Sequence, residues 1–389
     1  MALGFGVMLI VVRRFGADGL GRTALAQSIL SYALTVGLWG TDLFAIQRVA
    51  ARPIELWRTI RLVRLTRIGA ALAAYVGMLA LTMLVPGFRD VLPLVALFGL
   101  SVFAAAIAPE WVPQSQHRTH ITGIASLTTQ GIYLGLVVVA AVSGAALWSV
   151  AAAKVTADVC TMAGLLVWLY RSQVRDDVAE PTAEEVRRFA ALSAPICATQ
   201  LLRSVAITSD VVILGLMASR TDLGHYAGAG RLFVLMLTLA TAYFVILLPR
   251  FAERAASVPQ LEAELGASLR ATVPLAIAAL MVLIPLAAPI LRLLFGAGFS
   301  DAAASLRVLG AAAACNLIGR HYRQVLLVRG RQATDFRVTV GGTMVHVVSK
   351  VSLIPLLGIT GAAVGTMAGE GFMMLAHRVA ARRELRVPA

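Results

Sequence analysis

Lysine is almost absent from this chain, and charge of any kind is scarce. Lys154 and Lys350 are the only lysines among 389 residues, and charged residues make up 14%. Neither lysine follows a glycine, so the glycine–lysine loop that cradles phosphates in nucleotide hydrolases is missing. Cysteine is equally sparse. Cys160, Cys197 and Cys315 lie singly inside apolar runs and read as small packing residues, not as disulfide or metal partners. His117 and His120 share a helix face, but no third ligand stands near them, so no metal is expected. Gly19-Leu20-Gly21-Arg22-Thr23-Ala24 fits the GxGxxA pattern but lies between two apolar helices, where a dinucleotide loop has no strand to leave. No cofactor is expected either. Polar sequence long enough to form a soluble domain is also lacking, and with it any place for a nucleic-acid surface.

Apolar runs fill the space instead. Hydrophobic residues make up 59% of the chain, and the mean hydropathy is +0.83. A helix crossing a bilayer needs about 20 apolar residues. Twelve stretches meet or approach that length: 1–12, 24–46, 68–86, 91–113, 121–143 and 145–170, then 190–217, 226–248, 271–295, 304–327, 338–357 and 359–376. They are apolar on all sides, which places them against lipid and against one another. Lipid-facing strands would alternate with a polar lumen in runs of about ten residues; no such alternation is present. The expectation is an all-α polytopic membrane protein of about twelve helices. The first run is short, with Arg13 ending it, which reads either as a start placed late in the gene, the preferred reading, or as a first helix shortened in this protein. No secretory signal is evident, because Arg13-Arg14 follows the apolar run instead of preceding it.

Arginine placement orients the chain, since short cytoplasmic loops carry the positive excess. The even-numbered connections and the tail hold Arg48, Arg52, Arg58, Arg61, Arg64 and Arg67, then Arg118, then Arg171, Arg175, Arg187 and Arg188. They continue with Arg250, Arg254 and Arg270, with Arg329, Arg331 and Arg337, and with Arg378, Arg382, Arg383 and Arg386. The odd connections hold Arg13, Arg14, Arg22, Arg89, Arg220, Arg292 and Arg307. The count is 21 against 7, which predicts both termini in the cytoplasm of a cell-membrane protein. The net charge of +14 is mostly a topology signal.

The longest polar connection, 171–189 with Asp176, Asp177, Glu180, Glu184 and Glu185, divides the spans six and six. The expected organisation is an N-terminal bundle over 1–170, a cytoplasmic linker over 171–189, and a C-terminal bundle with a short tail over 190–389. The halves echo each other. Asp18-Gly19-Leu20-Gly21 after the first span parallels Asp222-Leu223-Gly224 after the seventh, and tight turns at 144–150 and 358–364 enter the sixth and twelfth. Halves with an even number of spans share orientation, the parallel repeat used by many alternating-access transporters.

These motifs resemble the polysaccharide-exporter, O-antigen-flippase-like branch of the multidrug/oligosaccharidyl-lipid/polysaccharide (MOP) flippase superfamily. The similarity runs through Arg14-Phe15-Gly16-Ala17-Asp18-Gly19-Leu20-Gly21, Ala24–Ile29 and Gly37-Leu38. It continues through Ser193-Ala194-Pro195, Asp210, Leu223-Gly224-His225-Tyr226-Ala227, Leu248-Pro249-Arg250 and Leu294-Phe295-Gly296. The resemblance implies two six-helix bundles about a central cavity, MATE-like. It also implies a non-enzymatic role: moving a lipid-linked oligosaccharide to the outer leaflet, with membrane lipids and glycan-assembly proteins as partners.

Ionisable side chains at bilayer depth are costly and mark sites. Arg203, Arg231, Arg320, Arg323 and Lys350 are expected to line a basic cavity, where guanidinium forks suit a pyrophosphate head group. Arg231 and Arg320 have a second reading, snorkelling to the interface or pairing structurally. Lys350 either faces water and an anionic ligand or pairs with Glu370. Asp158, Asp210 and Glu370 are the carboxylates available for ion coupling. Asp158 stands four residues after Lys154, the spacing of an internal ion pair. Asp42 is expected to pair with Arg48 at the cytoplasmic rim. Pro195, Pro274, Pro285 and Pro289 interrupt the seventh and ninth spans, as hinges or as packing kinks. The rival functions are a drug or cation antiporter of the same superfamily, a membrane glycosyltransferase or polymerase, and a scaffold. The antiporter lacks the usual first-helix acid, and the enzymes lack a large outward loop.

Overall fold

The computed structural model describes residues 2–51, 53–172 and 179–386. Met1, Arg52, Arg175, Asp176 and Asp177, which enter the sequence argument, lie outside the described residues. The elements in order are α1 (Ala2–Leu38), α2 (Thr41–Ala51), α3 (Leu56–Leu84), α4 (Leu92–Gly99), α5 (Ser101–Ile107), α6 (Trp111–Ser115), α7 (Thr119–Val142) and α8 (Trp148–Ser172). They continue with α9 (Ala183–Met217), α10 (Arg220–Glu253), α11 (Val258–Phe295), α12 (Ala303–Val328) and α13 (Gln332–Arg386). Among the described residues there is no strand. The fold is all-α.

Nine stretches among the described residues are long and apolar enough to cross a membrane, and α9 makes a tenth. Two of these stretches, Leu3–Ala50 and Gln332–Leu385, are double. Gly16 (φ +67°) breaks α1 and Gly358 (φ +55°) breaks α13, both in the left-handed region open to glycine. Counting each half separately gives the twelve segments expected. Large apolar side chains such as Leu293 (83% exposed) and Leu356 (77%) coat the outside, as lipid contact requires.

Boundaries moved where polar residues found helical partners. The segment expected to connect the first two spans is helical from Ala17 onward, because Arg22 Nε bonds Asp18 Oδ2 one turn back at 2.7 Å. α9 starts at Ala183, ahead of the expected 190. Thr182 and Glu185 cap it reciprocally, Thr182 N–H to Glu185 Oε2 at 3.0 Å and Glu185 N–H to Thr182 Oγ1 at 3.3 Å. Ser219 likewise caps α10, accepting from Asp222 N–H at 3.1 Å. The fourth span is split into α4, α5 and α6, with Pro93 opening the first and Pro109 standing before the last.

By packing, the chain forms two compact units, Met1–Thr208 and Ser209–Ala389. In the first, α1 packs on α3, α4 and α7, and α7 packs on α8. Its aromatic core holds Trp57, Trp111 and Phe189. The early part of α9 belongs here. Trp39 Nε1 donates to Ala190 O at 2.9 Å, Thr35 and Ser204 share a hydroxyl bond at 3.1 Å, and a Cβ on Gly40 would lie 2.6 Å from Cys197 N. In the second unit, α12 packs along α10, α11 and α13, around Phe244, Phe251, Leu261, Tyr322 and Val325.

Candidate functional site

Four helices of the second unit bring polar side chains into one buried cluster. The last turns of α9 carry Ser209 and Asp210, and the start of α10 carries Tyr226. α12 supplies the half-buried Asn316, and the two halves of α13 supply His346, Lys350 and Glu370. The break at Gly358 folds α13 back on itself, and a row of glycines sets the closeness of its halves. A Cβ on Gly365 would lie 2.7 Å from Lys350 Cγ and 3.0 Å from its backbone N, and one on Gly369 would collide with the His346 ring. Small residues at four-residue spacing allow such approach between membrane helices. Lys350 stands eight residues before Gly358, about 12 Å along the helix from the turn.

Within the cluster, Tyr226 Oη donates to Asp210 Oδ2 at 2.7 Å, and Val211 N–H bonds Asp210 Oδ1 at 3.0 Å. Asn316 Nδ2 donates to Glu370 Oε2 at 2.9 Å, while His346 Nε2 stands 3.8 Å from Glu370 Oε1. Lys350, only 1% exposed, donates to Ser209 Oγ at 3.3 Å. Asp210 and Glu370 both lie within electrostatic reach of its ammonium. A buried charge is tolerable only with such compensation.

The other expected site residues fall elsewhere. Arg203 on α9 and Arg231 on α10 are exposed, and neither makes a hydrogen bond or ion pair among the described residues. Arg231 heads an exposed apolar stripe of α10 that continues through Leu235, Leu239 and Ile246. Arg320 donates to Thr241 Oγ1 at 2.6 Å and acts electrostatically on Glu370. Arg323 is held at Asp335 by two parallel bonds of 2.8 and 3.0 Å, and His377 Nε2 meets the same carboxylate at 3.0 Å. Lys154 grips both oxygens of Asp158, the second at 2.6 Å.

Sequence reasoning missed several partnerships. Asp42 pairs with Arg67, not Arg48: Arg67 is buried, with Nε on Thr41 Oγ1 at 2.6 Å and a terminal nitrogen on Asp42. Arg48 instead pairs with Glu55 at 2.8 Å. Asp335 with His377, and Asn316 with Glu370, join residues 42 and 54 positions apart, and no spacing rule links them. The polarity of Asp335 and His377 at helix ends was the only signal available.

Solved structures, among them transporters of the MOP superfamily, carry the same all-helical fold. An inward-facing multidrug resistance MATE family transporter of that superfamily matches with a TM-score of 0.76 and 16% identity, over 99% of this chain and 94% of that one. The lipid II flippase MurJ, in an inward closed conformation, matches with a TM-score of 0.81 and 13% identity, over 98% and 85%. An outward-facing MATE transporter matches with 0.63 and 17%, over 99% and 91%. Residues 1–254 match the family described as polysaccharide biosynthesis protein, and the chain belongs to that family. No curated protein sequence matches it significantly.

Proposed function

We propose that this protein flips a polyprenyl-pyrophosphate-linked oligosaccharide across the cytoplasmic membrane for surface polysaccharide synthesis, by alternating access of two six-helix bundles. Both termini face the cytoplasm in this reading, by the arginine asymmetry of the connections. The observation that carries it is the membership of residues 1–254 in the polysaccharide biosynthesis family. The charge pattern supports the choice of cargo. Arg203 and Arg231 sit in apolar helices with no carboxylate partner among the described residues. At bilayer depth such cations need an anionic or hydrated neighbour, and a guanidinium binds phosphate through two parallel bonds. Arg320 and Lys350 would add to the field that attracts the head group. The saccharide crosses with no covalent change, so no catalytic residue is assigned.

The test is a strain lacking the gene, complemented with wild type or with Arg203→Ala and Arg231→Ala. Each lost phosphate contact should reduce flipping tenfold or more, as about 1.5–3 kcal/mol implies for a charge-assisted bond. Surface glycan should disappear in the double variant while lipid-linked precursor accumulates and the protein remains inserted. Normal surface glycan in the null strain, with a gain of drug sensitivity, would transfer the case to the antiporter.

A further inference from the structure

The cluster between the two halves of α13 has the lining of a cation site with a cation already built into it. Its oxygens come from Asp210, Glu370, Ser209, Tyr226 and Asn316, the carboxylate, hydroxyl and carbonyl groups that hard cations prefer. Two buried atoms there have no hydrogen-bond partner, Asn316 Oδ1 and His346 Nδ1. Of these, Asn316 Oδ1 is an acceptor that the lining's own donors leave unused.

Lys350 enters this lining from the first half of α13. Its single hydrogen bond runs to Ser209 Oγ, and neither carboxylate is in direct ion-pair contact with Nζ among the described residues. Asp210 and Glu370 nonetheless both act on it electrostatically. An ammonium has three rotatable donors on a flexible stem, so it can serve either carboxylate. Gly365 is what lets it stand there, since a side chain at that position would meet Lys350 Cγ and backbone.

We propose that Lys350 is the resident cation of this cluster: its ammonium closes the site to sodium and other free monovalent cations, and its removal opens one. A second positive charge 4–5 Å from the ammonium, at the effective dielectric of protein sites, would bind roughly two to three orders of magnitude more weakly. Arg320, acting on Glu370 from α12, adds to that repulsion. His346 and the Cys315 thiol are the other titratable neighbours, and a proton on His346 would strengthen the exclusion further. The binding claim is independent of what the protein carries. Its consequence rests on the flippase reading: an ion exchanged through this cluster during transport is not sodium.

Thermal unfolding of the full-length protein in detergent tests this, with sodium, lithium, potassium or choline chloride at equal ionic strength. Wild type should unfold at one temperature in all four salts. Lys350→Ala and Lys350→Ser should unfold earlier in choline and recover several degrees in a small metal cation. Asp210→Asn combined with Lys350→Ala should abolish that recovery. Lys350→Arg, which keeps the charge, should fold and remain blind to the salt. Selective stabilisation of wild type by sodium, lost in Asp210→Asn, would overturn the proposal. So would folded Lys350→Ala or Lys350→Ser protein that responds to no cation. Should neither neutral variant fold, the wild-type and Lys350→Arg measurements decide alone.

Discussion

Replacing Asp335 with alanine isolates a structural role from a transport role. Asp335 collects Arg323 through bonds of 2.8 and 3.0 Å and His377 through one of 3.0 Å, tying α12 to both halves of α13. Its side chain is 10% exposed, whereas that of Arg323 is 31% exposed. Breaking a fully buried pair from one side costs about 3–5 kcal/mol. Arg323 regains some water on losing its partner, which lowers the expected cost to about 2–3 kcal/mol. At roughly 2 °C per kcal/mol for a chain of this size, the unfolding midpoint should fall by about 4–6 °C. A thiol-reactive fluorophore reads this through Cys315, which lies on the same helix as Arg323, with Cys160 replaced by serine to silence its exposed thiol. The Arg323→Ala variant should lose a similar amount, and the double variant less than the sum. Arg323→Lys should restore little, because a point charge cannot reproduce the two parallel bonds. An unchanged midpoint in Asp335→Ala, or strict additivity in the double variant, would refute the pairing and return Arg323 to the pool of free cations.

Further outcomes follow from the same contacts. Arg67→Ala should destabilise by about 2 kcal/mol, since it removes a buried guanidinium and its bond to the buried Thr41 while Asp42, 38% exposed, regains water; Arg48→Ala, at a side chain 32% exposed, should cost under about 1 kcal/mol, and equal losses in thermal unfolding would contradict the assignment. Gly365→Leu should force the halves of α13 apart and cost about 1–3 kcal/mol, visible as reduced yield of monodisperse protein. Cysteines introduced at Ser143 and Pro181 should label from outside and inside the cell respectively, and the opposite pattern would reverse the orientation.

The apolar pattern exposed the architecture because bilayer thickness imposes a length on every crossing helix, and the twelve stretches carry it openly. Turns were legible where glycine was required, as at Gly358, but Gly16 was read as part of a longer connection that is helical from Ala17. The capping box Thr182-Ala183-Glu184-Glu185 was readable in the sequence and would have placed the start of α9. The site was legible only in part. Spacing of four residues identifies Lys154 with Asp158, since both lie on one helix face. It says nothing about Asp335 with Arg323, Tyr226 with Asp210, or Asn316 with Glu370, because these pairs form between helix segments. Residue type at depth therefore nominated the charges, and only the fold distinguished Arg323, held by a carboxylate, from Arg203 and Arg231, which are not.

The proposed role requires this chain to move a lipid-linked saccharide between leaflets without another protein. Purified protein reconstituted into liposomes with a fluorescent polyprenyl-pyrophosphate oligosaccharide, exposed to a membrane-impermeant quencher, measures that directly. Quenching should reach the inner-leaflet pool with wild type and stop at the outer pool with Arg203→Ala/Arg231→Ala. Quenching confined to the outer pool with folded wild-type protein, under every ion gradient applied, would contradict it.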